Sequence, residues 1–188
     1  MPDIDIDFAD RNSILEVIEH RIATIDETKK HNTGIYVTEI PHNPINNYAS
    51  INYKEAEDRG YFKLDFLNVS IYKDVNDEEH LIRLMEKEPL WELLEHKEFV
   101  DLLFHLSGHS EICKKLKPKN IEQLAAVLAI IRPAKRYLLN EDWHTILSEV
   151  WIKPDDNKYY FKKAHAISYA VAITVHMNLI CENLYGKN

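Results

Sequence analysis

Apolar and polar residues alternate strictly over the opening positions: Asp3, Asp5 and Asp7 interleave with Ile4, Ile6 and Phe8. A period of two predicts a β-strand with the carboxylates on one face and the apolar side chains on the other. The period then changes. Ile14, Leu15, Val17, Ile18 and Ile22 form a helical stripe, with Ser13 as the expected N-cap and Glu16 completing a capping box. Residues 34–40 read as a second strand stopped by Pro41, and 43–48 as a polar loop containing Pro44. Residues 50–54 read as a third strand. After Gly60, residues 61–67 read as a fourth, with Lys63 and Asp65 on one face. From residue 77 the spacing becomes helical, over 78–87, 89–96, 97–106, 110–116, 121–131, 141–150 and, longest, 164–184. Pro89 suits a first helical position and Pro133 ends its helix. Strands followed by helices predict an α+β protein with a sheet module over 1–76 and a helical module over 77–188.

Composition narrows the class. The 188 residues suffice for one domain or two small ones, and 45% hydrophobic with 29% charged residues is the balance of a globular protein. Only 4 Gly and 7 Pro exclude a low-complexity linker. Cys113 and Cys181 lie far apart without metal-ligand spacing and read as reduced thiols of a cytoplasmic protein. The acidic N-terminus lacks the basic and apolar regions of a secretory signal. No bilayer-spanning run is expected: 164–180 comes nearest but is interrupted by His165 and His176. A net charge of −8 argues against strong autonomous nucleic-acid binding, although Lys114, Lys115, Lys117 and Lys119, and again Arg132, Lys135 and Arg136, are locally basic.

The chemistry lies in the opening strand. Aspartate is a poor strand former, and like charges on one face repel, so local propensity does not explain three of them. A divalent cation turns that repulsion into binding. A calcium-binding EF-hand loop starting at Asp3 fails, because its glycine falls at Phe8 and its bidentate glutamate at Ile14. The pattern fits a strand bearing two metal-binding aspartates, with Asp65 on a neighbouring strand as the third carboxylate. Two magnesium ions about 3.5–4 Å apart on three carboxylates suit phosphoryl transfer. Lys63 lies beside such a site as a candidate phosphate contact.

Pro2-Asp3-Ile4-Asp5-Ile6-Asp7-Phe8 resembles the P-D-[FIL]-D-[VIL]-D-F signature of family C DNA polymerases, the bacterial DNA polymerase III alpha subunits. Further blocks follow in order. Residues 11–20 are similar to the helix after that signature, with Val17-Ile18-Glu19-His20 matching. The block from His31 through Gly34 to Val37 resembles H-x-x-G-V-V-I. Gly60-Tyr61-Phe62-Lys63-Leu64-Asp65-Phe66-Leu67 resembles G-L-V-K-F-D-F-L. Leu103-Phe104-His105-Leu106 with 112–118, then 121–133, and finally Lys162 to Ala170 are similar to later blocks. The resemblance implies a polymerase-β-like nucleotidyltransferase palm followed by helical fingers. It implies two Mg2+ ions on catalytic Asp5, Asp7 and Asp65, and nucleotide contacts from Lys63, Lys163, His165 and Tyr169. Asp3 is left as a structural acid and His31 as a structural histidine.

The departures shape the expectation equally. The family's N-terminal phosphoesterase domain and the earlier palm, with its Gly-Ser triphosphate motif, have no counterpart in these residues. The loop after Arg132-Pro133 is replaced by Ala134-Lys135-Arg136. The expected protein is a reduced, DNA-directed polymerase core acting on primer–template DNA and deoxynucleoside triphosphates. It would be viral or part of a split replicase, with another polymerase subunit supplying missing palm elements. It would work in the cytoplasm, that of a host if viral, with no membrane partner. Two alternatives stay open: a non-catalytic accessory or decoy that binds replication partners, and a nucleotidyltransferase with a small acceptor.

Overall fold

The computed structural model describes residues 4–26, 29–154 and 160–186. Pro2 and Asp3 lie outside the described residues. The protein is α+β, and the chain divides into two compact units, residues 1–73 and 74–188.

The first unit is a mixed six-stranded sheet. Its strands are β1 (Ile4–Phe8), β2 (Arg21–Thr24), β3 (Lys30–Tyr36), β4 (His42–Asn43), β5 (Tyr48–Asn52) and β6 (Leu64–Asn68), in the order β1-β6-β3-β2-β5-β4. β1 lies at one edge and runs parallel to β6. β6 is antiparallel to β3, and β3 to β2.

Helix α1 (Arg11–Leu15) is shorter than its apolar stripe predicts, and its cap is Asp10, whose carboxylate accepts from the Asn12 N–H. The last residue of that stripe, Ile22, belongs to β2, where it pairs with Ile35 of β3. Strand pairing with a fully buried neighbour overrides helical spacing in this β-branched segment. A second helix, α2 (Tyr53–Asp58), stands where the third strand was expected to end. The Asn52 side-chain oxygen starts it by accepting from the Lys54 and Glu55 N–H groups. Ala23, Tyr36, Ile40, Ala49 and Ala56 form the small core of this unit, and the Phe8 and Phe66 rings meet at 4.7 Å.

The second unit is helical. Its helices are α3 (Glu78–Glu86), α4 (Lys97–Val100), α5 (Ser110–Leu116), α6 (Ile121–Ile130), α7 (Trp143–Glu149) and α8 (Lys163–Tyr185). Every residue of α6 from Leu124 to Ile130 is buried, so this helix is apolar all round and runs through the core against α8. Two expected helices differ. Residues 89–96 form a 3₁₀ turn, Trp91–Glu95, and 97–106 hold only the one-turn α4 before the chain turns through His105 at φ 59°. Lys135, one of the locally basic residues, is buried and donates to the Glu149 carbonyl at the end of α7.

Helix α3 is fastened to α8 by polar contacts. Asn178 donates to the carbonyls of Leu84 and Lys87 at 2.9 and 2.8 Å, satisfying the end of α3. His80 Nδ1 accepts the Asn76 N–H, so its proton sits on Nε2, which donates to Glu182 at 3.0 Å. By length and composition, residues 163–184 of α8 are apolar enough to cross a membrane, contrary to the reading of 164–180, and 56% of that stretch is buried within the protein.

Candidate active site

The parallel register of β1 and β6 pairs Asp5 with Asp65 and Asp7 with Leu67. Register partners on adjacent strands point to the same face, and so do residues two apart on one strand. Asp5, Asp7 and Asp65 therefore share one face of the β1–β6 edge.

Their surroundings differ. Asp65 is buried, with 8% of its surface exposed. The Thr33 hydroxyl donates to its Oδ1 at 2.8 Å, and the Lys63 ammonium pairs with its Oδ2. His31 Nδ1 lies 3.6 Å from Oδ1. That nitrogen accepts the Gly34 N–H at 2.9 Å. Lys63 is the cation paired with Asp65, and the Arg11 guanidinium also feels that carboxylate's charge. Gly34 makes the arrangement possible. A Cβ there would lie 2.9 Å from Lys63 Cδ and 3.0 Å from both Ala23 Cβ and His31 Nδ1. Glycine lets the lysine stem and the imidazole lie directly over β3.

Asp7 is more exposed. Its carboxyl is pushed above the usual carboxylate range, first by desolvation and then by the charge of Asp5. The Tyr72 phenol is pushed up by burial and by Asp7. Lys73 lies 3.8 Å from Asp10 at the same end of the unit. Arg11 reaches the Asn32 carbonyl, and burial lowers the pKa of its guanidinium while Asp65 opposes the shift.

The all-oxygen donor set of three carboxylates suits a hard divalent cation. Asp5 and Asp7 present the like-charge pair that a cation relieves, whereas Asp65 is turned to Lys63 and Thr33. Among the described residues no three His, Cys, Asp or Glu side chains converge closely enough to hold a metal ion. A metal here requires Asp65 to exchange part of its Lys63 contact for the cation.

The remaining expected contacts belong to α8 in the second unit. Lys163 pairs with Glu122 at 3.0 Å and lies over the Trp151 ring at 5.8 Å. His165 is partly buried in the first turn of α8. Tyr169 is built into an aromatic cluster, 4.6 Å from His105, 5.7 Å from Phe104 and stacked on Phe161 at 5.6 Å. Much of the basic sequence is used internally: Lys117 pairs with Glu95, Arg136 donates to the Ile130 and Ile131 carbonyls, and Arg132 lies over Phe161.

Sequence reasoning passed over Arg11, Thr33 and Tyr72. Thr33 carried a signal, lying between His31 and Gly34 in a block already singled out. Arg11 likewise opens a block already singled out, whereas Tyr72 carried no signal, because its proximity to Asp7 depends on how the chain returns after β6. In comparisons with known proteins, no family model, curated protein or solved structure matches this chain.

Proposed function

We propose that the protein is a nucleotidyltransferase whose palm-like sheet is a reduced relative of the family C DNA polymerase core. In this reading it transfers a deoxynucleoside monophosphate from its triphosphate to a primer 3′-hydroxyl. The observation that carries the reading is the register that sets Asp5 beside Asp65, with Asp7 on the same face. Magnesium ions held by Asp5, Asp7 and Asp65 would acidify the attacking hydroxyl and offset charge on the triphosphate.

The chain's own residues supply positioning. Thr33 and Lys63 fix the Asp65 carboxylate from two sides. Gly34 admits Lys63, which then either neutralises Asp65 or turns to a phosphate oxygen. Burial and then Asp5 raise the pKa of Asp7, and a bound cation would oppose both by favouring its charged form. Lys163, His165 and Tyr169 are assigned to the incoming nucleotide by the resemblance in the Lys162 to Ala170 block.

Primer extension tests the reading. Wild-type protein with primer–template DNA, the four deoxynucleoside triphosphates and Mg2+ should extend the primer, and Asp5→Asn and Asp65→Asn should abolish extension. Wild-type extension no greater than that of the variants would refute catalysis by this chain.

One observation favours a second reading. The Lys63–Asp65 pair already neutralises the third carboxylate, as in a palm-shaped accessory protein without metal chemistry. Calorimetry separates the two: Mn2+ binding lost in Asp5→Asn supports the enzyme, and no cation binding supports the accessory.

A further inference from the structure

Lys63 immediately precedes β6, and Asp65 is that strand's second residue. Their side chains meet in an ion pair largely shielded from water, with 13% and 11% of their surfaces exposed. The lysine stem lies over Gly34 of β3, where a Cβ would stand 2.9 Å from its Cδ. Lys63 therefore reaches Asp65 from the β3 side of the sheet. The Thr33 hydroxyl, also on β3, donates to Asp65 Oδ1 at 2.8 Å, and His31 Nδ1 stands 3.6 Å from that oxygen. Arg11, whose guanidinium feels the charge of Asp65, is anchored on the Asn32 carbonyl of the same strand. Among the described residues, the side chains that contact Asp65 gather on its β3 flank.

Asp5 and Asp7 lie on the other flank, because β6 separates β3 from β1. A cation bridging all three carboxylates needs Asp65 turned toward β1. Both of its oxygens are instead committed to the opposite side, Oδ1 to Thr33 and Oδ2 to Lys63. Among the described residues the three carboxylates accordingly do not converge on a cation site. A buried carboxylate without a counter-charge is costly, so Lys63 stabilises the metal-free chain in this arrangement. The same pair opposes a divalent cation, since a ligand that binds only a minor conformer has its affinity reduced by that conformer's population. We infer that Lys63 is a lock on the cation site: it holds Asp65 against β3, and a divalent cation completes the site only when Lys63 releases it. This regulation rests on the nucleotidyl-transfer reading, in which Asp5, Asp7 and Asp65 are the cation ligands. The lysine then sets how tightly the folded chain binds the cation.

Calorimetric titration of Mn2+ into the full chain tests the lock. Lys63→Met keeps a long unbranched stem and removes the ammonium. It should bind Mn2+ about tenfold more tightly than wild type, as expected when an open conformer populated at about one part in ten becomes the ground state. Lys63→Arg, which can hold Asp65 through a guanidinium fork, should bind no more tightly than wild type. Gly34→Ala keeps the charge but puts a methyl 2.9 Å from Lys63 Cδ, and should tighten binding by displacing the stem. Lys73→Met removes a 55% exposed lysine beside Asp10 in the same unit, and should change the affinity by less than about twofold. Should Lys63→Met fail to fold, Gly34→Ala decides, and no tightening there overturns the lock. A purely structural Lys63 would lower the melting temperature of Lys63→Met without tightening Mn2+ binding, and that result also overturns it. So does equal tightening in Lys73→Met, which reduces the effect to net charge. The two readings fail separately. Mn2+ binding that is lost in Asp5→Asn but equal in wild type and Lys63→Met removes only the lock. Tighter binding in Lys63→Met without primer extension by wild type removes only the polymerase reading. No Mn2+ binding in wild type or Lys63→Met overturns both.

Discussion

At the scale of single residues, the candidate site depends on small differences in how three aspartates are held. Asp7 is the one whose proton affinity the fold raises. Its carboxyl binds a proton more tightly in the folded chain than in the unfolded one, because of desolvation and Asp5. A raised acid contributes stability below its unfolded value, and that contribution is lost as pH rises through the folded value. In metal-free buffer at neutral pH, Asp7→Asn should therefore raise the melting temperature, and the gain should vanish on acidification to pH 3. Added Mn2+ should stabilise wild type and leave Asp7→Asn nearly unmoved. Gly34→Ala tests the close approach over β3. A methyl 2.9 Å from Lys63 Cδ and 3.0 Å from Ala23 Cβ should cost about 1–3 kcal/mol, the usual range for overpacking, measured by urea unfolding. These carboxylates were legible in the sequence because alternation put Asp5 and Asp7 on one face. Of the partners of Asp65, Lys63 was legible as its same-face neighbour two residues back, whereas Thr33 reaches it only through the β3–β6 pairing, which no local pattern encodes.

At the scale of elements, α6 should be the least tolerant segment of the helical unit. Leu128 is fully buried on a helix with no polar side facing out over residues 124–130. Leu128→Ala should cost about 2–5 kcal/mol, as buried leucine truncations do, read from chemical denaturation. The helical unit carries a pH dependence. Burial lowers the pKa of His105, His109 and His176, aided at the first two by arginine charge. A depressed histidine contributes stability above its ordinary value near 6.5, and that contribution is lost as pH falls through the folded value. Trp91, Trp143 and Trp151 all lie within residues 74–188, so their fluorescence should report loosening of this unit between pH 7 and pH 5. Long helices with clear periodicity, such as α3, α6 and α8, were legible from the sequence to within a few residues. Two misread elements in the sheet unit share one cause. In β2, and at the start of α2, a partner strand or a side-chain cap decided the local conformation against the apolar spacing.

At the scale of the whole molecule, the described chemistry is divided between a small acidic sheet unit and a larger helical one. The composition announced the α+β class, because strand-like alternation gives way to helical spacing once. Both cysteines are free and buried, and burial pushes the Cys113 thiol up to about 12. Thiol reagents at pH 8 should accordingly label Cys113 only on unfolding, at a rate that tracks denaturant concentration. The central claim is that Asp5, Asp7 and Asp65 act together as a divalent-cation site on one sheet face. Its most direct test is calorimetric titration of Mn2+ into the wild-type chain, Asp5→Asn and Asp65→Asn at neutral pH. Saturable binding in wild type that is lost in both variants is the predicted result. No binding, or binding equal in all three proteins, would contradict the account.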